Sequence, residues 1–380
     1  MKLLQSTFRD ADPATWDLRP LEALAPHLLL AFGHKERFAH PHLASRLAAA
    51  FPGACRVGCS TAGEISTAGV ADGTVVLTAI HLEHTTLDWA ATAVANIDAS
   101  EAAGLALAQQ LTAANLQGVA VFAPGIDVNG SALLKGLAAG LPREVPVVGG
   151  LAGDNGAFRE TLTLTPEGVF PRQVVAVGFC GTRCRLGHGS FGGWLPFGPA
   201  RRVTRSLGNI LYELDEQPAL ALYREYLGEY ASGLPASGLL FPFEMLDDAQ
   251  EQSGLIRTIL GIDEAEDSLI LAGDIHPGGY LRLMHAQVDT LVSGAQSAAH
   301  DLTQGLTSHE PGLALLVSCV GRKLVMGDHV DEEVEAVLRI LPPGSVATGF
   351  YSYGEISPRR NSGRCELHNQ TMTVALLQEI

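Results

Sequence analysis

Apolar positions come along the chain in short runs set off by glycine, proline and polar clusters. LLLAF (28–32), TVVLTAIHL (74–82), VAVFAPG (119–125), LALLVSCV (313–320) and NQTMTVALL (369–377) are strand-sized, with β-branched and aliphatic residues dominating. SALLKGLAAG (131–140) has a helical pattern closed by Gly140 and Pro142, and further helices are expected at 217–227, 288–305 and 330–339. The stretches 157–190, 201–214 and 255–285 read as strand-rich. Strands alternate with helices in 20–55 and 100–150, so the pattern predicts an α/β (α+β mixed) fold with mixed sheets flanked by helices. GGWLPFGPA (192–200), dense in glycine and proline, marks a boundary between two halves.

The pattern repeats. LASRLAAAFPGACRVGCSTAGEIS (43–66) aligns without a gap to VEAVLRILPPGSVATGFYSYGEIS (334–357), and eight of the 24 positions are identical, including Gly58/Gly349, Gly63/Gly354 and Glu64/Glu355. Both copies follow one apolar run and precede another. The shared unit is strand, helix, Pro-Gly break, short strand, glycine-bounded turn, strand. A weaker echo, VPVVGGLAGDNG (145–156), runs an apolar strand into glycines and Asp154. This is internal duplication of related half-domains, since no fixed period runs through the chain.

Charge and composition narrow the functions. Forty-one acidic against 25 basic residues give a formal charge of −16, with no basic block beyond the pairs Arg201-Arg202 and Arg359-Arg360. A chain that binds by neutralising phosphates has the opposite balance, so nucleic acid is not an expected partner. No apolar run reaches the roughly 18 residues that cross a bilayer, and the N-terminus lacks a signal-peptide core; no membrane insertion and a cytoplasmic location are expected. Six cysteines do not suggest a disulfide framework. Cys55/Cys59 and Cys180/Cys184 stand four apart on strand-like segments, a span of about 13 Å, too far for one metal ion. No metal site is expected, and the thiols read as buried or edge residues of a reducing compartment.

The repeated turn is the candidate binding element. Glycines let the chain leave one strand and enter another, and the amides and hydroxyls of Ser60 and Thr61 then converge on a small polar ligand. Glu64 and Glu355 hold the same offset, with Ser352 and Tyr353 beside the second. The alternative is a well-made turn in which each glutamate satisfies neighbouring N–H groups. If the two turns face one another, a cleft between them holds the ligand. His368, Asn369 and Thr371 form a polar cluster before the last strand. GCSTAG differs from the G-x-S-x-G nucleophile elbow in glycine spacing, so hydrolase chemistry is not favoured and no enzyme is expected. His188, between glycines in RLGHGSFGG, is a candidate open-faced ligand for a planar cofactor. Pro41 between His40 and His42 suits a first helical position.

Taken in order, VGCSTAGEI (57–65), VVGGLAGDN (147–155), GWLPFGPARRVTRSLGNILYELDEQPALALYREYLG (193–228), AGDIHPGGYLRLM (272–284) and GFYSYGEI (349–356), with LHNQTMTVALL (367–377), resemble the FIST family of sensory proteins. The resemblance implies two related domains, an N-terminal FIST domain over 25–190 and a C-terminal one over 191–377. It implies a sensory protein that binds a small-molecule ligand and signals through a separate partner such as a histidine kinase. One subset, NosP, binds haem and reports nitric oxide, and for that alternative His188 is the candidate haem ligand. A third reading, a protein-interaction scaffold without a small ligand, rests on the apolar stretch 232–245.

Overall fold

In the computed structural model, residues 1–246, 252–306, 308–359, 363 and 365–380 are described. Among them the strands fall into four sheets, three of six strands and one of nine. The mixed α/β expectation holds, with helices flanking mixed sheets.

The three six-stranded sheets are variations on one unit, so the faint echo at 145–156 belongs to a full third copy. The first unit contains strands Lys2–Phe8, Leu28–His34, Cys55–Thr61 and Val75–His81, with a hairpin of Glu64–Ser66 and Gly69–Ala71. The second contains Thr86–Ala93, Leu116–Ala123, Val147–Leu151 and Gln173–Cys180, with the hairpin Thr163–Thr165 and Gly168–Phe170. The third contains Cys184–Phe191, Leu313–Cys319, Val346–Ser352 and Met372–Glu379, with the hairpin Gly354–Pro358 and Cys365–His368. In each unit the second and third strands pair in parallel, and the last lies antiparallel between the first and second.

No unit keeps its own hairpin. The first unit's hairpin pairs with the third unit's sheet, Glu64 opposite Phe350. The third unit's hairpin pairs with the second unit's sheet, Glu355 opposite Gly150. The second unit's hairpin pairs with the first unit's sheet, Thr163 opposite Cys59. The exchange closes a circle. The parallel pairs approach closely at Gly58, Gly149 and Gly349, where a Cβ would lie 1.8, 2.0 and 1.7 Å from the carbonyl oxygens of Ala31, Val121 and Leu316. Backbone contact of that kind admits only glycine.

Because each sheet is covered on both faces, its central strands are apolar at nearly every position. Residues of all three units meet along the axis, where Phe32, Phe122 and Phe350 close the middle with ring centroids 4.8–6.2 Å apart. The helices Ser100–Gln110, Gly130–Gly140, Val288–Gln304 and Val330–Leu338 bury their apolar faces against the outer side of the second and third sheets. The last three lie where the sequence placed helices. Pro41 does not open a helix: the helix begins at Leu43, and His40 Nδ1 accepts the His42 N–H at 3.3 Å in the turn before it.

The Gly/Pro stretch 192–200 is where the chain leaves the first strand of the third unit for an inserted module. That module is the nine-stranded antiparallel sheet, with helix Ala219–Leu227 on it and a core of its own. Its segment 232–245 is not an exposed apolar patch as the scaffold reading required, because Leu239, Phe243 and Met245 are buried. Phe243 and Met245 complete the module's core.

Candidate functional site

The two Gly-Glu-Ile-Ser turns are built alike and are closed to solvent. Glu64 is 1% exposed and Glu355 0%. Glu64 accepts the Thr61 hydroxyl at 2.5 Å and both the N–H and hydroxyl of Thr74 at 2.9 and 2.8 Å. Glu355 accepts the Ser352 hydroxyl at 2.6 Å and the N–H and hydroxyl of Thr371 at 3.1 and 2.9 Å. Burial raises both carboxyl pKa values, that of Glu355 to about 8, while the hydroxyl and amide donors oppose the shift. The two turns do face one another, but they are joined directly: Ala62 N–H donates to Tyr351 O and Tyr351 N–H to Gly63 O, both at 2.8 Å.

Ser60 ties the first turn to the second unit. Its hydroxyl donates to Gly153 O at 2.7 Å and accepts the Leu162 N–H at 2.9 Å. Tyr353 does the same from the third unit. Its hydroxyl donates to Asp154 and accepts the Gly156 N–H at 2.9 Å, and its ring stacks on Phe158 at 4.2 Å. Asp154 in turn accepts N–H groups of Phe158, Arg159 and Glu160 at 2.7–3.0 Å. His368 is buried, its Nε2 3.0 Å from Ser357 O, and burial lowers its pKa to about 4, so it is neutral. The buried Asn369 amide has no hydrogen-bond partner among the described residues. Thus Ser60, Thr61, Glu64, Asp154, Ser352, Tyr353 and Glu355 are brought together around the seams between units. His368 and Asn369 follow in the hairpin and the bend after it. None of the nine lines the cavity described next.

A cavity of about 780 Å³ lies between the second unit, the third unit's hairpin and the inserted module. One wall is helix Gly130–Gly140 and the loop after it, supplying Leu134, Leu137, Leu141 and Arg143; another is Cys365, Glu366 and Leu367. The module supplies Met245, Leu246, Arg257, Asp274 and His276. Asn129 caps that helix, accepting the Ala132 N–H at 3.0 Å, and donates to Asp274 at 3.3 Å, which fixes helix against module.

Arg257 is the unusual wall residue. It is 6% exposed, and its described hydrogen bonds run to three backbone carbonyls, those of Asp274, Ile256 and Leu367, at 3.1–3.3 Å. Among the described residues no carboxylate pairs with it, and burial lowers its pKa to about 10 against the pull of Glu366 and Asp274. Gly273 leaves room for the guanidinium, since a Cβ there would stand 2.8 Å from Arg257 Nε. Sequence reasoning missed this residue. Its signal was a lone arginine inside SGLIRTILGI, a run otherwise fit for a buried strand.

His188 stands on strand Cys184–Phe191 opposite Ala375, with its pKa lowered by burial. It borders a second recess of about 590 Å³, which shares Arg143 and Gly363 with the first and is otherwise walled by Gln117, Glu144, Pro146, Arg185, Leu186 and Pro358. His188 would hold a haem iron there and Arg143 and Arg185 would pair its propionates, with Pro146, Leu186 and Pro358 as the apolar walls. The cysteines are free, five buried and Cys365 partly so. Among the described residues no helix is long and apolar enough to cross a membrane, and no group of three His, Cys, Asp or Glu side chains is placed to hold a metal ion.

The chain resembles an uncharacterized protein of Methanocaldococcus jannaschii, with 26% identity over 214 residues; the match covers 51% of this chain and spans 39% of that relative's length. Among solved structures, the crystal structure of a cyanuric acid hydrolase from A. caulinodans aligns over 99% of both chains at a TM-score of 0.39 and 10% identity, a level that carries nothing about activity. Family models match in tandem, FIST N over residues 27–217 and FIST C over 219–358. With both regions present in order over most of its length, the chain belongs to the FIST family.

Proposed function

We propose that this protein is a sensory module that binds a small molecule in the 780 Å³ cavity and passes the change to a separate signalling protein, such as a histidine kinase. FIST domains are associated with signal transduction and small-ligand sensing. The observation that carries the reading is the cavity itself: concave, largely apolar, with a few convergent charged groups and a buried guanidinium. Its walls come from three parts of the chain, so a bound ligand draws the inserted module against the ring of units. That is a differential contact of the kind a switch requires.

A thermal-shift panel of small metabolites on the wild type and Ala138→Trp tests it. Ala138 is an exposed wall residue, and a tryptophan there fills the cavity without entering the core. A ligand at 100 times its dissociation constant adds about 2.7 kcal/mol to the wild type. The expected result is a stabilising compound whose effect disappears in Ala138→Trp. A panel without a hit, or a hit indifferent to the substitution, removes this reading.

A second reading, the haem-based nitric oxide sensor, is supported by His188 bordering the recess beside Arg143 and Arg185. Bound haem would supply the nitric oxide ligation. The chain's part would be to offer the His188 imidazole and to pair the propionates with Arg143 and Arg185. A haem absorbance band that shifts with nitric oxide and changes in His188→Ala supports it; no band on haem addition removes it.

A further inference from the structure

We infer that the cavity's ligand is an amphipathic monocarboxylate: an acid whose carboxylate docks on Arg257 and whose apolar chain lies along Leu134, Leu137 and Leu141. This rests on the small-ligand reading above and names the class of molecule for that site.

Three observations converge on it. The first is charge. The whole chain carries −16, yet among the cavity's described wall residues four are cationic (Lys135, held by Glu101 at 2.8 Å, Arg143, Arg257 and Arg359) against two acids, Asp274 and Glu366. A net positive cavity in an acidic protein selects anions. The second is the state of Arg257. A guanidinium withdrawn from water needs a counter-charge in good geometry; among the described residues carbonyl oxygens take the Nε and Nη1 hydrogens of Arg257 without neutralising it and leave Nη2 to a ligand. A carboxylate at Nη2 accepts a charge-assisted hydrogen bond and supplies the missing counter-charge, which a neutral acceptor does not. The third is the remaining wall. The leucines of helix Gly130–Gly140, with Val145, Val147 and Met245, offer an apolar surface that an inorganic anion would leave uncovered.

A zwitterion fits less well. The two wall acids that would meet an ammonium group already have described partners: Asp274 the Asn129 amide at 3.3 Å, and Glu366 the Arg359 guanidinium at 3.9 Å.

Calorimetric titration with octanoate, octanamide and octylammonium separates the possibilities, on the wild type, Arg257→Gln and Arg257→Lys. Octanoate is expected to bind the wild type at least tenfold more tightly than octanamide, and octylammonium to give no binding. Arg257→Gln is expected to erase the preference for octanoate over octanamide. Arg257→Lys keeps a cation without the guanidinium and is expected to retain an intermediate preference, which keeps the test valid should the glutamine variant not fold. Octanamide or octylammonium binding as tightly as octanoate overturns the class and leaves the small-ligand reading standing. So does silence from all three probes while a panel compound still acts through the Ala138 wall. Silence from the probes and the panel together overturns both.

Discussion

Glu355 occupies in the third unit the place Glu64 occupies in the first: each takes a hydroxyl three residues before it and the N–H and hydroxyl of one threonine at the start of the last strand. These carboxyls hold the turn together from inside. The alternative weighed from the sequence, a glutamate that satisfies neighbouring N–H groups, describes their geometry.

Stability is expected to fall as pH rises through this pair. Glu355 titrates near 8 when folded and near 4.5 when unfolded, so between those values the folded state holds the extra proton. The unfolded state then gains on every step upward in pH. The buried His368 works the other way, adding stability as pH rises between about 4 and 6.5, and is silent above that. The window from 6.5 to 8 therefore lies above the histidine and reports the buried carboxyls. Melting temperature measured across it should decline in the wild type and decline less steeply in Glu355→Gln, where Glu64 remains; an unchanged slope in the variant refutes the assignment.

Tyr353→Phe should cost about 1–3 kcal/mol, because it strips the Asp154 loop of a hydroxyl that both donates and accepts within a buried site. Urea unfolding reads the loss. Amide exchange should rise at residues 154–160 ahead of the rest of the chain, which a merely global destabilisation would not produce.

Arg322 and Glu333 form an ion pair at 2.6 Å with both side chains at 0% exposure, and Glu333 also accepts the Ser318 and Tyr351 hydroxyls at 2.9 and 2.7 Å. Glu333→Gln leaves a buried cation without its counter-ion and should destabilise by about 3–5 kcal/mol. Arg322→Met combined with Glu333→Leu should recover part of that loss. A double variant worse than the single one would show that the pair is needed for more than charge balance.

Gly58→Ala and Gly349→Ala should each fail to give soluble protein or unfold at far lower denaturant, since a Cβ would overlap a backbone carbonyl of the partner strand. Gly53→Ala is the control: nothing lies within 4 Å of its Cβ, and a change within about 0.5 kcal/mol is expected.

Much of this was legible in the sequence. Apolar runs marked the central strands because both faces of each sheet are covered, and the Gly-Glu-Ile-Ser repeat marked equivalent turns because their internal hydrogen bonds need the same side chains. The second unit of the ring was harder to see. In the second copy Thr163, paired opposite Cys59, stands where the other hairpins carry glutamate, after a longer loop held by Asp154. The cavity was not legible at all. Arg257, Leu134 and Leu367 are far apart in sequence and meet only once the module folds onto the ring; no local pattern records such a meeting.

The circular hairpin exchange has a consequence for anyone who divides the chain. A fragment ending near residue 217 contains every strand of the first sheet. It leaves Val147–Leu151 without Gly354–Pro358 on one side and the hairpin Glu64–Ala71 without a strand to join. Such a fragment presents open β-edges, the surfaces through which chains aggregate. The halves that family models delineate are thus portions of one closed assembly, and half of this protein, expressed alone, should behave as an adhesive.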